Sequence, residues 1–225
     1  MKRSEINSHI HNALDFFNEM NFQLPPWARW SPTLWEECRE KCSEIVENQL
    51  GWDLTDFGSG AFLETGLLLF TLRNGNLNRD QKPYAEKIMI VEEDQVTPMH
   101  FHWSKMEDII NRGGGNLMIQ LYPSDNKQGY GDHDFEVSLD GIKRKYSPGQ
   151  VIRLKPGESI SLYQGLYHTF FGETGKGKVL VGEVSAVNDD HSDNHFFSKV
   201  GRFPEIQEDV APSFLLVGDY KTYMK

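Results

Sequence analysis

The chain has 225 residues, enough to bury a sizeable core, and carries 33 acidic against 23 basic residues. That formal net charge of -10 argues against a broad nucleic-acid footprint, which needs clustered Lys and Arg. The longest basic cluster, Lys143-Arg144-Lys145, reads as a solvated strand or turn face, and no apolar run approaches the roughly 20 residues of a membrane span.

The opening Met1-Lys2-Arg3-Ser4-Glu5 soon becomes amphipathic rather than continuously apolar, so no secretory signal is visible and the chain reads as soluble and cytoplasmic. Ile6, Ile10, Ala13, Leu14 and Phe17 recur at helical spacing and predict a first helix, broken by Pro25-Pro26. Ser31 and Pro32 suit the N-cap and first position of a second helix through Trp35, Cys38, Cys42, Ile45 and Val46. The only two cysteines, Cys38 and Cys42, would share one face of that helix and read as reduced packing residues, not a disulfide framework. Gly51 and Gly58-Ser59-Gly60 end the helical part.

Beyond residue 60 the pattern becomes short and β-like. Leu67 to Leu72, Ile88 to Glu92, Asn116 to Leu121, Phe135 to Leu139, Gln150 to Leu154, Ser159 to Tyr163 and Val179 to Val187 are the expected strands. Asn74-Gly75-Asn76, Ser147-Pro148-Gly149 and Lys155-Pro156-Gly157 punctuate them, and Asp140-Gly141 predicts a hairpin turn. Many short strands with such turns predict a mainly β sandwich or barrel. The stretch from Pro204 onward carries no assignable element.

The chemistry concentrates in Pro98-Met99-His100-Phe101-His102-Trp103-Ser104-Lys105-Met106-Glu107, followed by Asn111-Arg112-Gly113-Gly114-Gly115. Two histidines one residue apart point to the same side of a strand, and with a nearby carboxylate they make a chelate for a divalent transition metal. This His-x-His-x4-Glu-x6-Gly string, ending at Gly114, resembles the first motif of the cupin superfamily, and Gly165-Leu166-Tyr167-His168 resembles the second. Asp94 stands where the first motif usually has Gly, Tyr163 where the second has Pro, and Gly172 where it often has Asn. The resemblance implies a cupin-type β-barrel (jelly roll) over residues 61–225, with residues 1–60 a helical segment packed on it as one structural unit. It makes His100, His102, Glu107 and His168 the metal ligands, leaving two adjacent positions open on a six-coordinate ion.

The wider string, Val96 to His102, Lys105 to Gly115, Gly182-Glu183-Val184-Ser185, Asn188-Asp189-Asp190 and Asp193-Asn194, is similar to the D-lyxose isomerases over nearly the whole chain. That similarity implies a manganese-dependent homodimer interconverting D-lyxose with D-xylulose, and D-mannose with D-fructose. The ligand set itself also suits Co2+, Fe2+, Ni2+ or Zn2+. In such chemistry a divalent ion holds O1 and O2 of the sugar and stabilises a cis-enediolate, while the protein supplies a proton shuttle and a hydrogen-bond donor.

Lys105 is the expected donor to a sugar oxygen, a solvent-facing loop lysine being the plainer alternative. Glu183 is the expected shuttle, because a carboxylate within the apolar run Val179 to Val184 needs partners if it is buried. Strand alternation alone leaves open an outward-facing position for it. Asp193 is a candidate for binding sugar hydroxyls or part of a charged surface loop, and Glu205 is a rival for the shuttle. His133 and His191 read as surface residues, Phe101 and Trp103 as core packing on the far side of the ligand strand, and Tyr167 as outward. Two rival functions share the same ligands: an Fe(II) cupin dioxygenase, and a cupin that binds a sugar or metabolite without turning it over.

Overall fold

The apolar runs that break strict alternation, such as Leu67-Leu68-Leu69-Phe70, belong to strands buried on both faces. A computed structural model describes residues 1–79 and 81–224. Its eight-stranded antiparallel sheet takes, in spatial order, β1 (Gly51–Thr55), β2 (Leu67–Arg73), β3 (Tyr84–Val91), β12 (Val179–Ala186), β5 (Glu107–Gly114), β10 (Ser159–Leu162), β7 (Phe135–Leu139) and β8 (Ile142–Tyr146). A five-stranded sheet takes β13 (Asn194–Phe196), β4 (Thr97–His102), β11 (Leu166–Gly172), β6 (Leu117–Pro123) and β9 (Val151–Leu154). The two face each other as the expected mainly β, cupin-type barrel.

Period-two geometry sorts each strand of the larger sheet into two cores. Leu67, Leu69, Met89, Val91, Ile109, Val179 and Val181 point inward and meet Leu117, Ile119, Leu121, Leu166 and Phe170 of the smaller sheet. Leu68, Phe70, Ile88, Ile90 and Leu180 point outward onto Ile6, Ile10, Ala13, Leu14 and Phe17 of α1 (Arg3–Glu19). Each of these aliphatic side chains contributes about 1.5–3 kcal/mol by leaving water. The helix is thus the outer cover of the large sheet, which explains why its partner strands read as unbroken apolar runs.

The second predicted helix is broken. Ser31 does cap α2 (Pro32–Glu37), its hydroxyl accepting from the Leu34 amide at 3.3 Å. A short 3-10 turn, Arg39–Lys41, then separates α2 from α3 (Ser43–Glu47). The segment from Glu36 to Lys41 offers almost no apolar stripe, so burial of Trp35 and Cys42 against Leu215 and Tyr220 decides the path instead. Both cysteines are free; they lie at non-helical junctions, Cys42 buried and Cys38 partly so. The helical part also stops before residue 60, since Gly51–Thr55 pairs with Leu67–Thr71 at the edge of the large sheet.

The turn chemistry is as expected. Asp140 and Gly141, at φ 48° and 81°, close the β7–β8 hairpin, whose second strand carries Lys143, Arg144 and Lys145 into solvent. Gly113 and Gly114 end β5 as partners of Leu180 and Val179, just past a register shift at Arg112. Gly114 sits at φ +81°, and a Cβ there would lie 2.3 Å from the Lys178 carbonyl oxygen. Asp94, in the place of a motif glycine, adopts φ 58°, a left-handed position that Asp tolerates better than most residues.

The C-terminal stretch, unassignable from sequence, returns to the N-terminus. Gln207 bridges to Lys2, and a last short helix, α4 (Tyr220–Tyr223), packs beside α2. Arg3, 1% exposed, donates to Glu208 and to both carboxylate oxygens of Asp219 at 2.6–2.9 Å. Truncating Arg3 leaves Asp219 buried without its cation. Arg3→Ala is therefore expected to cost about 3 kcal/mol of unfolding free energy in urea titrations, the scale for breaking a buried ion pair.

Candidate metal centre

Both sheets contribute to one cavity in the barrel. His100 and His102 project inward from β4, and His168 on β11 is the register partner of His100. The three rings are buried, and their candidate ligand atoms all lie within 4.8 Å of one another. Glu107 opens β5 on the facing sheet and aims Oε1 at the same point, 3.0 Å from His168 Nε2 and 3.4 Å from His102 Nε2. The spacing of the sequence motif is thus the length of chain needed to cross from one sheet to the other.

The donor chemistry fits a divalent cation. His100 Nδ1 lies 2.7 Å from the Pro98 carbonyl and His168 Nδ1 3.0 Å from that of Leu166. A ring that donates through Nδ1 keeps its lone pair on Nε2. With Nδ1 turned to those carbonyls, His168 Nε2 faces the Glu107 carboxylate at 3.0 Å, and together with the Nε2 atom of His100 they offer a convergent nitrogen and oxygen donor set. Burial, followed by the neighbouring His168 and His102, holds the His100 ring well below its usual pKa. Burial and then Lys105 lower His102, so both rings are neutral and ligand-competent at neutral pH.

Lys105 is not a solvent-facing loop residue. It is 3% exposed, and its Nζ sits 2.7 Å from Glu107 Oε2 and 2.8 Å from Glu183 Oε1. Burial opposes its charge, but Glu107 and Glu183 outweigh that and raise its pKa above the ordinary lysine range. Glu183 falls on the inward phase of β12 with Val179 and Val181, which resolves the alternation question left open by sequence. Burial alone would raise both acids; Lys105 instead holds Glu107 well below the carboxylate range and, with Lys87, lowers Glu183.

Asp193 is buried and engaged with backbone. The amides of Ser104 and Lys105 donate to its two oxygens at 2.7 and 3.1 Å, clamping the loop that carries Lys105. Glu205 is exposed and is not among the cavity-lining residues. His133 and His191 are exposed as expected. Trp103 departs from expectation at 49% exposure, while Phe101 is buried. Tyr167 does face away from His168, yet it is fully covered by Phe101, Tyr130 and Phe197 on the outer face of the small sheet.

Sequence reasoning assigned no role to three charged cavity residues, Lys87, Asp190 and Arg202. Lys87 lies inward on β3, the register partner of Glu183. Arg202 pairs with Asp53 at 2.7 Å and Asp190 at 2.9 Å. Burial would raise Asp190, but Arg202, then Lys87 and Lys105, hold it well below its usual range. The available signal for Lys87 was its place at the head of the apolar run Ile88-Met89-Ile90-Val91, on the same strand phase as Met89 and Val91; Arg202 had none, because its loop is placed only by distant contacts.

The chain is similar to known proteins both in sequence and in fold. The sequence model of a family described as D-lyxose isomerase matches residues 1–220. A Serratia proteamaculans protein named D-lyxose/D-mannose isomerase is 47% identical over 227 residues, covering 100% of both chains. An Escherichia coli O157:H7 protein of the same name is 48% identical over 226 residues, 99% of this chain and 100% of that one. Among solved structures, the L-ribose isomerase of Geodermatophilus obscurus superposes with a TM-score of 0.63 at 17% identity, over 92% of this chain and 98% of that one. Ligand-free Cellulomonas parahominis L-ribose isomerase gives 0.61 at 16% identity, over 92% and 98%; at such identities the likeness is one of fold. With the family match running through 220 residues and both sequence relatives near half identity end to end, the chain belongs to the D-lyxose isomerase family.

Proposed function

We propose that the protein is a metal-dependent aldose–ketose isomerase acting on D-lyxose and D-mannose, with D-xylulose and D-fructose as the ketoses. The observation that carries this reading is the buried Lys105 ammonium shared between Glu107, which faces three histidines, and Glu183, which lines the same cavity. A passive sugar-binding site has no need of an ionised carboxylate and an ammonium held in contact beside a metal. The names carried by the two relatives near half identity supply the sugars.

In this reading His100, His102, His168 and Glu107 hold the ion, which we take to be Mn2+, with Co2+, Fe2+, Ni2+ or Zn2+ as chemically acceptable substitutes. When bound, the ion supplies Lewis-acid polarisation of neighbouring sugar oxygens. Glu183 removes the proton from C2 and returns it to C1, and its contact with Lys105 keeps it ionised for the first of these steps. Lys105 donates toward the oxygen on which negative charge develops. Asp193 keeps the Ser104-Lys105 backbone in place, so we assign it to positioning ahead of direct sugar binding. Residues 1–60 and 61–225 act as one structural unit, and the enzyme is a cytoplasmic homodimer.

Chelator-stripped protein incubated anaerobically with D-lyxose or D-mannose is expected to form ketose only when Mn2+ is restored. Absence of ketose from any pentose or hexose, with O2 uptake on another substrate, would instead select the Fe(II) dioxygenase. Saturable sugar affinity without product would select a binding protein. His102→Ala is expected to lose stoichiometric metal in elemental analysis, and full retention would place the metal elsewhere. Glu183→Gln is expected to keep its metal and lose turnover by roughly 10²-fold or more, the usual scale for an acid–base group. A near-normal rate would move the shuttle to another acid.

A further inference from the structure

Lys87 has no part in the scheme above, yet it is among the most unusual residues in the barrel. It sits on the inward phase of β3 between strands that otherwise send Met89, Val91, Val179 and Val181 into the core, and it is 4% exposed. Its Nζ donates to Asn188 Oδ1 at 2.6 Å and lies 3.4 Å from Glu183 Oε1. Lys105, at 2.8 Å from Glu183, is shared with Glu107, so Lys87 supplies the charge that balances the second carboxylate. That balance could be met from any direction, and the position Lys87 takes calls for a further reason.

The reason lies in which oxygen it meets. Lys105 and Lys87 approach Glu183 from opposite neighbours, one on the β4–β5 loop and one on β3, and both converge on Oε1. A carboxylate held at one oxygen by a single ammonium still rotates about its terminal torsion, which is broad and roughly two-fold for Glu. A second cation 3.4 Å from the same oxygen favours the orientation that keeps Oε1 toward both ammoniums and leaves Oε2 the oxygen farther from them. Asn188 fixes Lys87 in turn, and the Asn188 amide donates to Asn74 Oδ1 at 2.9 Å, so the tether runs back to the end of β2.

We propose that Lys87 is a positioning residue for the isomerisation: by holding Glu183 Oε1 opposite Lys105 it presents Oε2 as the atom that accepts and returns the migrating proton. The inference rests on the isomerase reading given above. In the forward step the C2–H bond breaks as Oε2 takes the proton. The C–H electron pair forms the C1–C2 double bond, and the C1 carbonyl pair withdraws to O1. The same proton then returns to C1, while the O2 hydroxyl proton passes to O1 and C2 gains the carbonyl. Atoms and electrons balance without any co-reactant. One oxygen serving both carbons requires the carboxylate to stay fixed during transfer, which is the property that a two-point grip on Oε1 confers.

The test is a kinetic comparison of the full-length Mn2+-loaded wild type with Lys87→Met and Lys87→Arg. Lys87→Met is expected to keep its metal content and its KM for D-lyxose within about threefold, and to lose kcat by about tenfold or more. The primary isotope effect with C2-deuterated D-lyxose should rise in the same variant, because a misaligned base makes C–H transfer limit turnover. Lys87→Arg, which restores a cation to that position, should recover part of kcat and lower the isotope effect toward that of the wild type.

Unchanged kcat in Lys87→Met overturns the proposal. So does a loss of kcat with an unmoved isotope effect, and so does parallel loss of metal in both variants, since each would describe a merely structural lysine. Wild-type protein that forms no ketose from either sugar overturns the isomerase reading and this inference with it; wild-type turnover separates the two.

Discussion

The Lys105 ammonium, enclosed between Glu107 and Glu183, is the contact on which the rest of the site depends. Each of these charges alone would be costly inside a barrel, and together they are tolerated because each carboxylate has a cation within 2.8 Å. The pairing sets the direction of both acids' shifts: burial pushes them up, and Lys105, joined at Glu183 by Lys87, more than reverses it. Removing Lys105 would therefore do more than delete a donor; it would take from Glu107 its ammonium and leave Glu183 with Lys87 alone, at 3.4 Å. The loop bearing Lys105 is accordingly fastened at its backbone by Asp193, through the amides of residues 104 and 105.

The fold makes this contact possible by dividing labour between its sheets. The smaller sheet delivers the three histidines on adjacent strands, and the larger delivers Glu107, Glu183 and Lys87 on β5, β12 and β3, three consecutive neighbours. Lys105 sits on the connection from one sheet to the other. Rigidity comes from outside the barrel: α1 covers the outer face of β2, β3 and β12, and the C-terminal return holds α1 through Arg3. A clamp more than two hundred residues long in sequence thus ends up supporting the strands that carry Lys87 and Glu183.

Much of this was legible in the chain because it is local. His100, His102 and Glu107 are tied by strand period and by a fixed crossing length, and Asp140-Gly141 announces its own hairpin. Glu183 was half legible: the apolar run located it, but only the register with Lys87 and Ile109 decides its face. The misses share a physical cause. The broken second helix, strand β1 and the C-terminal return are all determined by what packs against them, Leu215 and Tyr220 for the first and β2 for the second. Arg202 reaches Asp53 across 149 positions and Asp190 across 12, and no sequence window shows the former. Tyr167 obeyed its alternation and still proved buried, because aromatic rings from other segments cover that face.

Charge balance gives the arrangement a chemical direction. Glu107 and Glu183 on one side, Lys105 and Lys87 on the other, sum to zero beside the histidines, while Arg202 is shared between Asp190 and Asp53. In the proposed reading a divalent ion held by three neutral imidazoles and one carboxylate therefore arrives with its charge largely uncompensated. A ground-state sugar, being neutral, relieves little of that excess; negative charge developing on its oxygens relieves more. A wall with one further carboxylate beside the ion would cut that excess before reaction and forfeit part of the difference, since only interactions stronger in the transition state accelerate the step. Matching Glu107 and Glu183 with Lys105 and Lys87 is what leaves the field of the ion for the substrate.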